Sequence, residues 1–103
     1  MQNFKVVYSD DAIEDIQGLH DYILNQFMNP MTARIQTNRI MSASETLAIF
    51  PKLYRIRKID SQGRKIRFCP VDNYVILYSI DESRDMVNIL HVMYNRRNIN
   101  ALI

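Results

Sequence analysis

The side chains best suited to chemistry stand close together near the end of the chain. An aliphatic run that begins at Asn88 carries His91 and Tyr94, and Arg96 and Arg97 follow it. Tyrosine rings stack on nucleobases, arginines bind phosphate in a bidentate manner, and imidazole transfers protons near neutral pH. The cluster therefore predicts a site that binds a phosphate-bearing partner.

The two-residue period of a β-strand divides this cluster. Side chains three apart in an unbroken strand face opposite ways, so His91 and Tyr94 are expected on different faces, whereas Tyr94 and Arg96 could share one. Only a β-bulge would reunite His91 with Tyr94. For His91 two interpretations stay open, a hydrogen-bonded core residue and a proton-transfer group.

A second cationic region lies earlier in the chain. Residues 1–50 hold three basic and six acidic side chains, a net charge of −3, whereas residues 51–103 hold ten basic and five acidic ones, a net charge of +5. Such a cationic half favours an anionic partner, either nucleic acid or an acidic protein segment. The candidates for this contact, with Arg96, are Arg55, Arg57, Lys58, Arg64 and Lys65.

Other chemistries have little support in the sequence. His20, His91 and Cys69 are the soft metal ligands, and no pair of them has zinc-ligand spacing. Gly18 and Gly63 are the only glycines, which leaves no glycine-rich phosphate loop, and no Gly-x-Ser-x-Gly motif occurs. We therefore expect neither a metal nor a cofactor.

Length and composition predict one globular domain over residues 1–103. The apolar share of 48% is ordinary, and splitting 103 residues would leave pieces too small to bury a core. The single cysteine excludes an intramolecular disulfide. No leader opens the chain and no apolar run approaches the roughly 18 residues that span a bilayer, so we expect a cytoplasmic protein with no membrane contact.

The first half of the chain predicts a strand followed by a helical hairpin. Ser9 is a helix cap with acids behind it, and the first helix should end near Met28. Asn29 and Pro30 suit the start of a second helix, which Pro51 ends. Three acidic positions of the first helix, Glu14, Asp15 and Asp21, read as a solvated face. The predicted inner faces comprise Ala12, Ile13, Ile16, Leu19, Ile23 and Phe27, and Ala33, Ile40, Ala43, Leu47 and Phe50.

The second half predicts strands joined by turns. Residues 53–59 suit a strand or an extended arm, and alternation around Ile66 and Phe68, at 74–80 and at 87–94 predicts strands. Tyr74 and Tyr78 are expected to pack. The order β-α-α-β-β-β implies an α+β fold, an antiparallel sheet with an N-terminal helical hairpin packed on one face.

Three stretches resemble the RelE/ParE family of bacterial toxins. Residues 67–78 (RFCPVDNYVILY) and 87–98 (VNILHVMYNRRN) match its pattern of an arginine before a strand, an Asn-Tyr start to the next, and a last aliphatic strand closing in His or Tyr, Gly, Arg-Arg, Asp. Residues 7–12 (VYSDDA) resemble its first strand and helix cap, and Pro51 after the hairpin also fits.

The resemblance implies a toxin neutralised by an antitoxin encoded beside it. RelE-like members cleave messenger RNA in the ribosomal A site, and ParE-like members inhibit DNA gyrase. Arg67, Tyr94 and Arg97 stand at the family's arginine, strand-end aromatic and second paired arginine. Asn95 replaces the usual glycine and Asn98 the usual aspartate, which removes a possible partner for Arg97.

We predict the toxin of a type II pair that acts by ribosome-dependent messenger RNA cleavage, as a metal-independent endoribonuclease. Its arginines would stabilise the pentavalent phosphate, and Tyr94 or His91 would protonate the leaving 5′-oxygen. One alternative is a ParE-like, non-enzymatic inhibitor of DNA gyrase, and another is a non-toxic basic nucleic-acid-binding or adaptor module. The partners are thus an antitoxin, with either the ribosome and messenger RNA or gyrase. The catalytic candidates are Tyr94, Arg97, Arg67 and His91.

Overall fold

A computed structural model describes residues 3–94 of the chain. Strand β1 (Lys5–Tyr8) leads into the helices α1 (Asp10–Phe27) and α2 (Pro30–Ile49). Four strands follow, which are β2 (Ile56–Ile59), β3 (Lys65–Val71), β4 (Tyr74–Asp81) and β5 (Met86–Tyr94). They form one five-stranded sheet in the order β1-β5-β4-β3-β2.

The α+β fold class and the helical hairpin on one face of the sheet are confirmed, and the sheet is mixed. Strands β2 to β5 form an antiparallel meander, while β1 lies parallel to β5, with Tyr8 opposite Ile89. A direct hairpin forces antiparallel pairing, but β1 reaches β5 only after the rest of the chain, so this constraint does not apply. Of the two forms predicted for residues 53–59, the strand is present, at Ile56–Ile59.

Local signals fix the helical hairpin as predicted. The Ser9 hydroxyl accepts a hydrogen bond from the Ala12 N–H at 3.0 Å, and the acidic Asp10 and Asp11 follow in the first turn. Met28 ends α1 in the left-handed region, with φ 51°. Asn29 caps α2 by accepting the Met31 N–H at 3.0 Å, and a proline opens the helix.

The main core lies between the helices and one face of the sheet. Phe27 and Phe50 were expected on the inner faces, but both are exposed because they stand at the very ends of their helices. Ile13 is also exposed. The buried apolar helix residues are Ala12, Leu19, Ile23, Ala33, Ile40 and Leu47, and they pack on Cys69, Val71, Ile76, Tyr78, Val87, Ile89 and Val92.

The opposite face of the sheet carries a second apolar cluster. Phe68 packs at its border, and the Arg57 guanidinium lies 5.0 Å from the centre of the Phe68 ring, a cation–π contact. None of the helices among residues 3–94 is long and apolar enough to cross a bilayer. The buried members of the cluster are Ile66, Val75, Leu77, Leu90 and Met93.

Candidate functional site

Strand β5 pairs with β4 along one side, and on its other side the neighbour changes half-way along the strand. Tyr78 lies opposite Ile89 and Leu77 opposite His91, so Leu90 is the extra residue of a β-bulge. Strand β1 ends beside Ile89, and beyond that point the start of α1 takes its place along the edge. The Ser9 N–H donates to the Ile89 carbonyl at 2.9 Å, and the Ser9 hydroxyl donates to the Leu90 carbonyl at 2.8 Å.

Asp15 of α1 also bonds to the edge of β5 beyond the end of β1, and it contacts His91. One carboxylate oxygen, Oδ2, accepts the Val92 N–H at 3.0 Å and lies 3.2 Å from His91 Nδ1. Asp11 Oδ2 lies 4.0 Å from His91 Nε2. His91 is therefore a hydrogen-bonded residue at the interface of β5 with α1. The prediction of a solvated face is wrong for Asp15, because the carboxylate lies against the edge of the sheet.

Tyr94 belongs to a different set of contacts. The pairing with β4 is unbroken from His91 to Tyr94, so the bulge at Leu90 does not lie between the two residues. The ring of Tyr94 meets Tyr74 edge-on, with centroids 5.8 Å apart and an interplanar angle of 84°. Tyr94 is 38% exposed. Burial raises the pKa of the Tyr74 hydroxyl, and the hydroxyls of Tyr94 and Tyr22 nearby add to the shift.

Arg67 is tied to the link between α2 and β2. Its Nη1 donates to the Tyr54 carbonyl at 2.6 Å, and the neighbouring Tyr78 hydroxyl donates to the Pro51 carbonyl at 2.8 Å. Burial raises the pKa of Tyr78 to about 12, against the opposing effect of the Arg67 charge. The packing role predicted for Tyr78 is confirmed, since its ring is fully buried.

The described residues do not bring Arg67, His91 and Tyr94 to one point. Arg67 lies opposite Tyr78 and Tyr94 lies opposite Tyr74. These two partners are four residues apart on β4, roughly 13 Å along the strand. Arg96 and Arg97 lie outside the described residues.

The β2–β3 hairpin presents the other predicted cations. Arg55, Arg57, Arg64 and Lys65 are exposed and Lys58 is half-buried. The carboxylate of Asp60 closes the turn by accepting the N–H groups of Gln62 and Arg64 at 3.0 and 2.8 Å and Arg64 Nε at 2.7 Å. Desolvation raises the pKa of Asp60, but these hydrogen bonds outweigh it and hold the pKa below its ordinary value.

Comparison with known proteins decides the family. A sequence profile of the ParE toxin of the type II toxin-antitoxin system parDE matches residues 6–99. The chain belongs to the ParE toxin family. No curated protein sequence matches it.

Three solved structures have the same fold as this ParE-family toxin. A chain of the chromosomal ParDE system of P. aeruginosa is 13% identical with a TM-score of 0.71, covering 88% of this chain and 95% of that one. The RelBE2 toxin-antitoxin complex of Mycobacterium tuberculosis is 19% identical with a TM-score of 0.60, covering 89% of this chain and 98% of that one. The archaeal RelE–RelB complex of Pyrococcus horikoshii OT3 is 14% identical with a TM-score of 0.65, covering 93% of this chain and 99% of that one. The predicted RelE/ParE resemblance is confirmed.

Sequence reasoning missed two polar anchors of this ParE-family toxin. Asp15 gave a usable signal, because it stands three residues after Ala12 and four before Leu19, on the apolar stripe of α1. The other anchor joins α2 to the β3–β4 turn. Arg39 holds Asp72 through two bonds of 2.7 and 2.8 Å, and Gln36 adds a third at 3.0 Å. This bidentate pair links residues 33 positions apart, which local patterns do not reveal.

Proposed function

We propose that this type II toxin arrests growth in the cytoplasm by binding DNA gyrase, without catalysing a reaction, and that an antitoxin encoded beside it neutralises it. The observation that carries the proposal is the ParE family match over residues 6–99. The solved structures with this fold include a RelBE2 toxin-antitoxin complex and a RelE–RelB complex, which supports a protein antitoxin as the first partner.

The contacts of the candidate catalytic side chains support binding rather than cleavage. Cleavage of RNA at a 2′-hydroxyl needs a base, a cation at the phosphate and an acid around one reacting centre. Here Arg67 is bonded to a backbone carbonyl, His91 to Asp15, and Tyr94 packs on a neighbouring ring. The backbone positions of Arg67 and Tyr94 are also separated by roughly 13 Å along the sheet, and the contacts of the two side chains are made with different neighbours.

Ribosome-dependent messenger RNA cleavage is the second candidate. The exposed cations of the β2–β3 hairpin, Arg55, Arg57, Arg64 and Lys65, favour it because they form a surface suited to a phosphate backbone. In this reading Arg97 would stabilise the phosphate, Tyr94 or His91 would serve as the acid, and the ribosome would position the RNA.

Induced expression separates these activities. Cells expressing the chain alone should stop growing, and cells that also express the adjacent antitoxin gene should grow. Purified protein should block DNA supercoiling by gyrase while transcript 5′ ends remain unchanged. Codon-phased cuts in transcripts with normal gyrase activity would replace the gyrase proposal by the second candidate, and normal growth with folded protein would sink both.

Arg97 offers a residue-level test of the same proposal. We expect Arg97→Ala to reduce growth arrest without loss of fold, because in this proposal the paired arginines near the end of the sequence contact the target. The matched control is Arg84→Ala, which removes an exposed arginine from the β4–β5 turn. Equal toxicity of the two variants would remove Arg97 from the site.

A further inference from the structure

We propose that residues 95–103 dock over the face of the sheet that is turned away from the helices, which we call the outer face. The second apolar cluster lies on this face. Its buried side chains are shielded from water almost completely, which needs atoms above the sheet as well as neighbours within it. The exposed fraction is 0% for Ile66 and Leu77, 3% for Val75, and 8% for Leu90 and Met93.

Strand β4 shows the same shielding along its length. Its five consecutive residues 75–79 are all buried. A strand of an antiparallel sheet with one solvated face would instead alternate buried with exposed residues. Ile76 and Tyr78 belong to the cluster beneath the helices, whereas Val75 and Leu77 belong to the outer face. Both faces of β4 are therefore covered.

Residues 3–94 do not supply the cover of the outer face. The helices pack on the opposite face, and the second apolar cluster contains strand residues only. At the β3 border, Lys58 lies opposite Ile66, and Arg57, the extra residue of a β-bulge in β2, lies over the Phe68 ring. Strand β2 is three strands from β5, about 14 Å, so these side chains do not cover Met93.

The rest of the chain consists of residues 1–2 and 95–103. Residues 1–2 adjoin Phe4, which packs with the cluster beneath the helices and donates its N–H to the Ala48 carbonyl of α2. Residues 95–103 instead follow β5 directly, two positions after Met93 of the outer face. The longer segment therefore starts beside the face that needs a cover.

The length and composition of residues 95–103 suit this role. Nine extended residues span about 30 Å, whereas the face measures about 10 Å from β5 to β3 and about 13 Å along β4 from residue 75 to residue 79. Residues 95–98 are polar and can cross the border of the face. Apolar residues follow, and they leave water when they pack on the cluster. They are Ile99, Ala101, Leu102 and Ile103.

Docking would also set the position of the arginine pair, which deepens the proposed function and rests on it. Arg96 and Arg97 stand between the end of β5 and the apolar residues of the segment. Held at both ends, they would lie at the outer face, where the Arg57 guanidinium lies over the Phe68 ring. The two cationic regions of the sequence would then form one surface for the target.

Methyl contacts in the full chain test the docking. In a chain with ¹³C-labelled methyl groups, we expect nuclear Overhauser effects between residues 99–103 and Val75, Leu77 or Met93. Ile49, which is exposed on α2, should show none with residues 99–103 and serves as the control. Absence of the expected effects in a folded chain would overturn the proposal. Effects that disappear on dilution would also overturn it, because they would assign the cover to a second copy.

A paired substitution removes the docking while it keeps the arginines and the net charge. Leu102→Asn combined with Ile103→Asn changes two adjacent positions, so the one that faces the sheet is altered in either case. A soluble paramagnetic probe should then broaden the Leu77 methyl signals at least about twofold more than in the wild type, because buried amides lack partners there. The control, Leu102→Met with Ile103→Val, should keep Leu77 protected. Equal protection of Leu77 in both variants would overturn the proposal, and if the asparagine variant does not fold, the wild-type methyl contacts decide.

Toxicity separates this inference from the proposed function. The asparagine variant should weaken growth arrest, because the arginine pair loses its position. Full arrest by a folded variant with an accessible Leu77 would overturn the positioning of the arginines. Failure of the wild-type chain to arrest growth would instead reject the proposed function, and the methyl contacts would still decide the docking.

Discussion

The two edges of the sheet differ in what the fold does with them. At the β1 edge the Phe4 N–H donates to the Ala48 carbonyl of α2 at 2.8 Å, and Val6, Val7 and Tyr8 are half-buried. At the β2 edge Ile56 and Ile59 are exposed beside cationic side chains. Within residues 3–94 the first edge is packed against the helices, whereas the second leaves two aliphatic side chains exposed.

Connectivity explains this difference. Ser9 directly follows β1 and caps α1, so the helix begins at the sheet, and Ser9 and Asp15 can bond to β5. Strand β2 instead follows the link after α2. Arg67 and Tyr78 donate hydrogen bonds to backbone carbonyls of that link. The link before β2 is therefore held by hydrogen bonds, while Ile56 and Ile59 of the strand are exposed.

The largest predicted contrast between the edges is in stability. Ile89 is fully buried where β1, β4 and β5 meet, and Ile89→Ala should lower the free energy of unfolding by about 2–5 kcal/mol through lost burial and a cavity. The matched variant Ile59→Ala at the β2 edge should change it by no more than about 0.5 kcal/mol. Urea unfolding of both variants measures the difference, and equal losses would mean that β2 is as much part of the core as β5.

A smaller effect should follow from the polar anchor of the β1 edge. Asp15→Ala leaves the Val92 N–H and His91 without their acceptor, and we expect a loss of about 1–3 kcal/mol. Glu14→Ala, an exposed neighbour on the same helix, is the control and should be near neutral. If the two variants unfolded at the same urea concentration, Asp15 would not anchor β5.

The hydrogen bond from the Tyr78 hydroxyl to the link before β2 should make the free energy of unfolding depend on alkaline pH. Tyr78 has its pKa raised to about 12, so above pH 10 the unfolded chain ionises at this residue before the folded one does. Its contribution is complete below pH 10 and is lost as pH rises towards 12, with about 1 kcal/mol lost at pH 11. Tyr78→Phe should remove this part of the alkaline loss. An unchanged pH profile in that variant would assign the loss to other groups.

The sequence predicts the parts of this fold that depend on neighbouring residues. Ser9, Met28 and Asn29 mark the helix ends because capping is local, and alternation marks the strands. The parallel pairing of β1 with β5 and the bulges at Leu90 and Arg57 depend on distant partners, which periodicity does not encode. The candidate site shows the same limit, because spacing identified His91 but not the carboxylate of Asp15 that it contacts.

The smallest predicted effect concerns an ion pair near the β2 edge. Lys52 Nζ lies 2.7 Å from Glu82 Oε1, a distance as short as any anchor of the β1 edge, but both side chains are largely exposed. Water and salt screen such pairs, so Lys52→Ala should leave the urea midpoint unchanged, at low salt and at high salt alike. A clear shift that disappears with added salt would show that this edge carries electrostatic stability of its own. In that case the burial of a contact would no longer explain why the β1 edge contributes more stability than the β2 edge.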